Sequence, residues 1–170
     1  MTEFKNYICI DGKKAELTEE QLKALGIELK KSSPFNRVDG KEKYYTITSY
    51  GDVLHDTEYD TNSDNKRFKI ANYCSDKAIM EQRALHETLN RLLWRYSMEH
   101  GGNKIDYNNP NKKKYFLYIN CSEVTKKPRI DYALTLKGHG VVYFNDEKTA
   151  LNAIKEIVEP FMKAHPDFKW

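Results

Sequence analysis

Several side-chain groups in this sequence carry enough chemistry to act on a substrate or a metal, and each falls short on spacing. His86 lies in a helical stretch with Gln82, Arg83 and Asn90 at neighbouring turns. A zinc pair on a helix needs a second His or Cys at i+3 or i+4, and none is present. Asp60, Asn62 and Asp64 alternate as the first ligands of a calcium loop do, just after His55, Asp56 and Glu58. Asn65 and Ala71 stand where that loop requires a glycine and a final acid, so the segment reads as a solvated acidic loop. Cys74 precedes a helix start, where the dipole lowers a thiol pKa, but the matching position later in the chain is Phe144, which points to a core site. His139, between Gly138 and Gly140, has no partner visible in the sequence, and neither GxGxxG nor GxxxxGK[ST] occurs. The expectation is a protein without catalytic residues, metal or cofactor.

Two charged sets are better placed for binding. Asp52, Asp56, Glu58, Asp60 and Asp64 cluster around Tyr50 and Tyr59, a mixture suited to a basic groove on a partner. Lys112, Lys113 and Lys114 lead into Tyr115 and Phe116, with Lys126, Lys127 and Arg129 at the next turn. Basic residues beside strand aromatics can grip a nucleic-acid strand through phosphate charge and base stacking. They can equally be the solubilising flank of an edge strand. A third surface is the outward side of the long helix around Arg83, Glu87, Arg91 and Arg95.

The elements that position these groups come in two similar stretches. Lys43-Tyr44-Tyr45-Thr46-Ile47 recurs as Lys114-Tyr115-Phe116-Leu117-Tyr118, 71 positions on, and Tyr73-Cys74-Ser75-Asp76 as Tyr143-Phe144-Asn145-Asp146, 70 positions on. The spacing predicts a β-β-β-α unit, duplicated. Residues 1–33 form a hairpin with an Asp11-Gly12 type I′ turn, then a short helix with a Thr18/Gln21 capping box and an apolar Leu22/Leu25 face, stopped by Gly26. Residues 30–34 read as a linker. The first unit, 34–102, has strands at 44–50, 53–59 and 67–74, a polar loop at 60–65, and a helix capped by Ser75. That helix buries Ala78, Leu85, Leu89, Leu92 or Leu93, and Tyr96, with Gln82 an exception in the stripe. The second unit, 103–170, has strands at 115–119, 130–136 and 141–144. Its helix is capped by Asn145, buries Ala150, Ile154, Ile157 or Val158, and Phe161, and kinks or ends at Pro160. The fold class is α+β, antiparallel sheet packed on two amphipathic helices, with the units either separate or joined in one compact domain.

With 28 basic and 25 acidic side chains the net charge is +3, too balanced for a DNA mimic or for strong non-specific DNA binding. The cysteines Cys9, Cys74 and Cys121 form no CxxC pair, and no signal peptide or bilayer-spanning run is visible. The expected location is the cytoplasm, with reduced thiols.

The stretch from Ala15-Glu16-Leu17-Thr18 to Gly26, then Pro34-Phe35-Asn36-Arg37-Val38, Lys43 to Ile47, Asp64-Asn65-Lys66-Arg67-Phe68, Ala71-Asn72-Tyr73-Cys74 and Ile157-Val158-Glu159-Pro160-Phe161-Met162 spans most of the chain. It resembles a family of small accessory proteins carried by phages and mobile elements of low-GC Gram-positive bacteria. The resemblance implies a context, the cytoplasm of a bacterial host, rather than an activity; with no catalytic motif in the sequence, the expectation is a non-enzymatic protein. Its partner would be a host protein or ribonucleoprotein, in the manner of anti-CRISPR inhibitors of nucleases, with a nucleic-acid-binding module as the alternative.

Overall fold

The structure, a computed structural model, describes residues 7–10, 13–26, 33–119, 127–135 and 137–170. The chain divides into two units between Asn36 and Arg37.

In the first unit, strands β1 (Tyr7–Ile10) and β2 (Lys13–Glu16) pair antiparallel with Ile10 opposite Lys13. The Asp11-Gly12 turn lies outside the described residues, as do residues 30–32 of the expected linker. Helix α1 (Glu19–Ala24) starts at the expected capping box: the Gln21 N–H donates to Thr18 Oγ1 and the Thr18 N–H to Gln21 Oε1. Gly26, at φ +71, follows the helix end. Leu22 is buried but Leu25 is exposed, so the helix buries less than its sequence suggests.

In the second unit, β3 (Lys43–Ile47) and β4 (Val53–Thr57) form an antiparallel hairpin with Tyr44 opposite Asp56. The third strand expected at 67–74 is absent. Helix α2 (Asn62–Lys69) replaces it and also absorbs most of the expected loop at 60–65. Its cause is a reciprocal cap: the Asp64 N–H donates to Thr61 Oγ1 at 3.2 Å, and the Thr61 N–H to Asp64 Oδ2 at 2.9 Å. Lys66, Arg67 and Lys69 at the other end complement the helix dipole. Only Cys74 remains to bridge Tyr45, and the side-chain amide of Asn72 takes over the next rung, accepting from the Ile47 N–H and donating to the Ile47 carbonyl, each at 2.8 Å.

Helix α3 (Lys77–Glu99) is capped by Asp76, one residue after the expected Ser75. It buries Met80, Ala84, Leu89, Leu93 and Tyr96, whereas Ala78 is exposed and Leu85 and Leu92 are half-buried. The stripe is shifted because its two ends meet different partners. Met80 and Ala84 pack with Ile47 and Cys74; Leu89, Leu93 and Tyr96 pack with Phe144, Ala150 and Val158.

The second sheet runs β6 (Pro128–Ala133), β5 (Lys114–Ile119), β7 (Tyr143–Phe144), all antiparallel, with β7 shorter than expected. Helix α4 (Glu147–Ala153) is capped by Asp146 rather than Asn145. The backbone then opens into a π turn at Ile154–Val158 and resumes as α5 (Glu159–Ala164). Pro160 has no N–H to give and its ring crowds the preceding turn, so the expected kink is expressed as a π turn.

Tyr44 and Tyr115 both lie in first strands, and a second strand, a short pairing and a helix follow in each half. The halves differ in α2 and in register: Tyr45 bridges Cys74, while Phe116 pairs with Tyr143. Duplication of one unit is therefore not established by this likeness.

Tyr73 and Tyr143 are both buried where sheet meets helix. Tyr73→Ala and Tyr143→Ala should each lower the unfolding free energy by about 3–5 kcal/mol in urea titrations. Losses under about 1 kcal/mol at both would mark them as surface residues.

Candidate functional site

The acidic set lies on the β3–β4 hairpin and the start of α2, and two of its carboxylates turn inward. Tyr44 and Tyr73 stack with ring centroids 4.0 Å apart. The Tyr44 hydroxyl donates to Asp64 Oδ1 at 2.6 Å, and the Tyr73 hydroxyl to Glu58 Oε2 at 2.7 Å. Glu58 and Asp64 are each only 3% exposed. Arg37 closes the network as a fork, donating through Nε and Nη2 to the two oxygens of Glu58 at 3.0 and 2.8 Å, and also reaching Asp60 and Asn65. Arg67 donates to the Tyr44 oxygen at 2.7 Å and forms an ion pair with Asp56. Of the six residues expected to face a partner, Glu58 and Asp64 are therefore internal, Asp56 and Asp60 are paired with arginines, and Asp52 and Tyr59 (65% exposed) point outward.

The charge states follow from these contacts. The Tyr44 hydroxyl holds the Asp64 carboxyl well below the usual carboxylate range, helped by the Thr61 and Tyr59 donors. Arg37 does the same to Glu58, and Arg67 to Asp56. Burial, then the hydrogen bond to Asp64, pushes Tyr44 up to about 12; burial and Glu58 push Tyr73 up as well. General acids and bases are poised near the working pH. These groups are moved away from it, which is the signature of a structural network. Burial likewise raises the Cys74 thiol, as a core position would.

The basic set is also altered by the fold. Lys114 is 1% exposed, and its ammonium donates to the carbonyls of Asn109, Lys112 and Leu134 at 3.0, 3.0 and 2.6 Å. It ties the loop before β5 to the end of β6 and has no donor left for a phosphate. The Lys113 ammonium sits 4.2 Å over the Tyr132 ring, and Tyr115 is half-buried. Lys112 is half-buried, Lys127 and Arg129 are exposed, and Lys126 lies outside the described residues.

A more open surface lies on the outward face of α3. Glu87 accepts from Arg83 at 2.9 Å and from Arg91 at 3.4 Å. Beside them Trp94 is 58% exposed, and Arg95 is exposed too. A cleft of about 400 Å³ runs between α3 and residues 140–142, floored by Leu89, Leu93, Leu117 and Phe144. A smaller hollow of about 240 Å³ continues it past Arg91 and Trp94, sharing Asn90 and residues 140–142 as walls. The opposite wall is fixed by the Gly138 N–H, which donates to the Tyr143 hydroxyl at 2.8 Å; a Cβ on Gly138 would meet Val141 Cγ2 at 2.8 Å. The far end is fixed by Gln82, whose amide donates to the Asp167 carbonyl and accepts from the Lys169 N–H, each at 2.9 Å. That holds Phe168 in the core, against His86, and Trp170 at the cleft.

Sequence reasoning named the α3 face but missed Trp94, Val141 and Trp170. The available signal was a tryptophan lying off the buried stripe between two arginines. His55 and His139 are exposed, and among the described residues no three His, Cys, Asp or Glu side chains converge as a metal site needs. Among the same residues no helix is long and apolar enough to cross a membrane.

Two outcomes follow from these networks. Asp56, Glu58 and Asp64 have lowered folded pKa values, so their stabilisation is full above the unfolded carboxylate range, about 4, and is lost as pH falls through the folded values. Tyr44 has a raised value, so its stabilisation is full below about 10 and is lost as pH rises through about 12. The urea midpoint should be flat over about pH 5 to 8 and fall on both sides. An acid arm unchanged in the Glu58→Gln/Asp64→Asn double variant would place the acid sensitivity elsewhere. Lys114→Met should cost about 1–3 kcal/mol by stranding carbonyls, with faster amide exchange in 105–113. A variant as stable as the parent would remove the structural role of this lysine. No protein-family model, no curated protein and no solved structure matches this chain.

Proposed function

We propose that this chain is a non-enzymatic binding protein whose partner-facing surface is the outward face of α3 with its cleft. Further, we propose that it acts as a phage or mobile-element accessory protein in the bacterial cytoplasm, inhibiting a host defence macromolecule, most concretely a nuclease in the anti-CRISPR manner. The observation that carries the binding reading is Trp94, left exposed between Arg91 and Arg95 at the mouth of an apolar cleft. Tryptophan and arginine dominate the energetics of protein interfaces, most of all around a pocket that excludes water. Burying such a side chain gains about 1.5–3 kcal/mol, and this fold leaves that gain to be made on association. The defence target rests on the resemblance to phage-borne proteins.

Nucleic-acid binding through the β5–β6 surface is the weaker reading. Lys114 is spent on carbonyls, and Lys113 covers the Tyr132 face that a base would stack on.

The test is phage plating on bacterial strains that each carry one nuclease defence system. Expression of the chain should restore plating on at least one strain. The Arg91→Glu/Trp94→Ala variant should lose the effect while keeping its thermal midpoint; Asp52→Lys/Tyr59→Ala should keep it. Plating restored on no strain would remove the inhibitory reading. Loss in the Asp52/Tyr59 variant alone would return the interface to the acidic hairpin.

A further inference from the structure

We infer that the trough along α3 receives an acidic peptide segment of the partner, extended in conformation and anchored by a bulky apolar side chain. This deepens the binding reading and rests on it. The two hollows of the trough adjoin, with Asn90 and residues 140–142 lining both. From His86 to Trp94 it follows eight residues of helix, about 12 Å at about 1.5 Å per residue. An extended chain covers that distance in about four residues, at about 3.3 Å each.

The charge of the rim selects the sign of the occupant. Glu87 is the only carboxylate side chain among the lining residues, and it is already held by Arg83 and Arg91 together. One carboxylate shared by two guanidiniums leaves a cation in excess, and Arg95, one helical turn beyond Arg91, adds another on the same side. A segment bearing Asp or Glu would meet both arginines as charge-assisted, bidentate partners.

The floor selects the class of macromolecule. Leu89, Leu93, Leu117 and Phe144 on the floor, with Val141 on the wall, make a recessed apolar surface, which takes a protruding Leu, Ile or Phe side chain. Nucleobases instead need flat, open ring faces in succession. Here Trp94 is at one end of the trough and Trp170 at the other, and the two phenylalanines of the lining, Phe144 and Phe168, are buried in the core with no open face to stack on. Two exposed aromatic ends and a recessed apolar middle suit a peptide whose backbone crosses the trough while one side chain descends into it.

Selection of random short peptides displayed on phage, against the full chain, tests this. The enriched sequences should carry Asp or Glu next to Leu, Ile, Phe or Trp. Synthetic versions should change the tryptophan fluorescence of the protein on binding. Arg91→Glu/Arg95→Glu and, separately, Val141→Asp should each weaken binding by about tenfold or more, and Lys127→Glu should leave it unchanged. Circular dichroism and the thermal midpoint confirm that the variants are folded. Enrichment of neutral or basic peptides, enrichment of none, or equal binding by the trough variants would overturn the inference. Displacement of the peptide by oligothymidylate, with steep salt dependence, would assign the trough to single-stranded nucleic acid instead. Acidic peptides that bind at the trough while Arg91→Glu/Trp94→Ala leaves phage plating intact would keep the occupant and remove the inhibitory role from this face. Plating lost in that variant, with no acidic peptide selected, would do the reverse.

Discussion

Two carboxylates buried against two stacked tyrosines set the terms for the first half of the main unit. A charged carboxylate in the interior costs several kcal/mol unless its oxygens are satisfied. Asp64 meets that demand with the Tyr44 hydroxyl, the Thr61 hydroxyl and the N–H groups of Tyr59 and Thr61. The same contacts start α2, because the acceptor that satisfies Tyr44 is also the capping partner of Thr61. Glu58 meets the demand with Tyr73 and the Arg37 fork, which brings the segment before β3 onto the hairpin. The hairpin, α2 and residues 37–38 are thus fixed by one set of shared acceptors, and no member can be removed without stranding another.

Much of this was legible in the sequence wherever a rule is local. The Thr18/Gln21 box, the aromatic strands expected at 44–50 and 115–119 and found at 43–47 and 114–119, the buried Tyr73 and Tyr143, and the core position of Cys74 each follow from spacing or from residue type. The failures share a cause. Residues 60–65 look like a loop because every side chain is polar, and Asp64 declares itself a cap and a buried acceptor only when Tyr44 arrives from twenty positions away. Gln82 breaks the apolar stripe of α3 because its partner backbone lies at 167–169. Lys114 reads as the third lysine of a basic run until the carbonyl of Leu134 comes over it. Asp64 and Lys114 read as solvated and Gln82 as an exception in a buried stripe, and in each case a contact distant in sequence claimed the side chain.

The same displacement relocates the candidate site. Several of the charges that cluster in the sequence are engaged by the fold itself: Glu58 and Asp60 by Arg37, Asp56 by Arg67, Asp64 by Tyr44 and Thr61, and Lys114 at the start of β5 by three carbonyls. What remains available is a set that periodicity disperses. Arg91, Trp94 and Arg95 are unremarkable as text, since a helix always has an outer face. They become a surface only because residues 138–142 are held opposite by the Gly138–Tyr143 hydrogen bond, and because Gln82 draws residues 167–169 alongside.

That placement also bears on how firmly a partner can be held. Ordering flexible side chains and loops on association costs about 0.5–1.5 kcal/mol for each immobilised side chain. Trp94 stands on a regular helix whose first half is packed on the β3–β4 hairpin and whose second half is packed on the second sheet and α4. Arg91 is already partly oriented by Glu87, which Arg83 holds from the other side. The anchors of the α3 face are therefore set by the same core that sets the fold. The exposed side chains of the acidic hairpin have no such support: Asp52 lies in a turn, and Tyr59 on the connection to α2. Where two surfaces offer aromatic and charged residues, the one built on the rigid element loses less freedom on binding, and here that surface is α3.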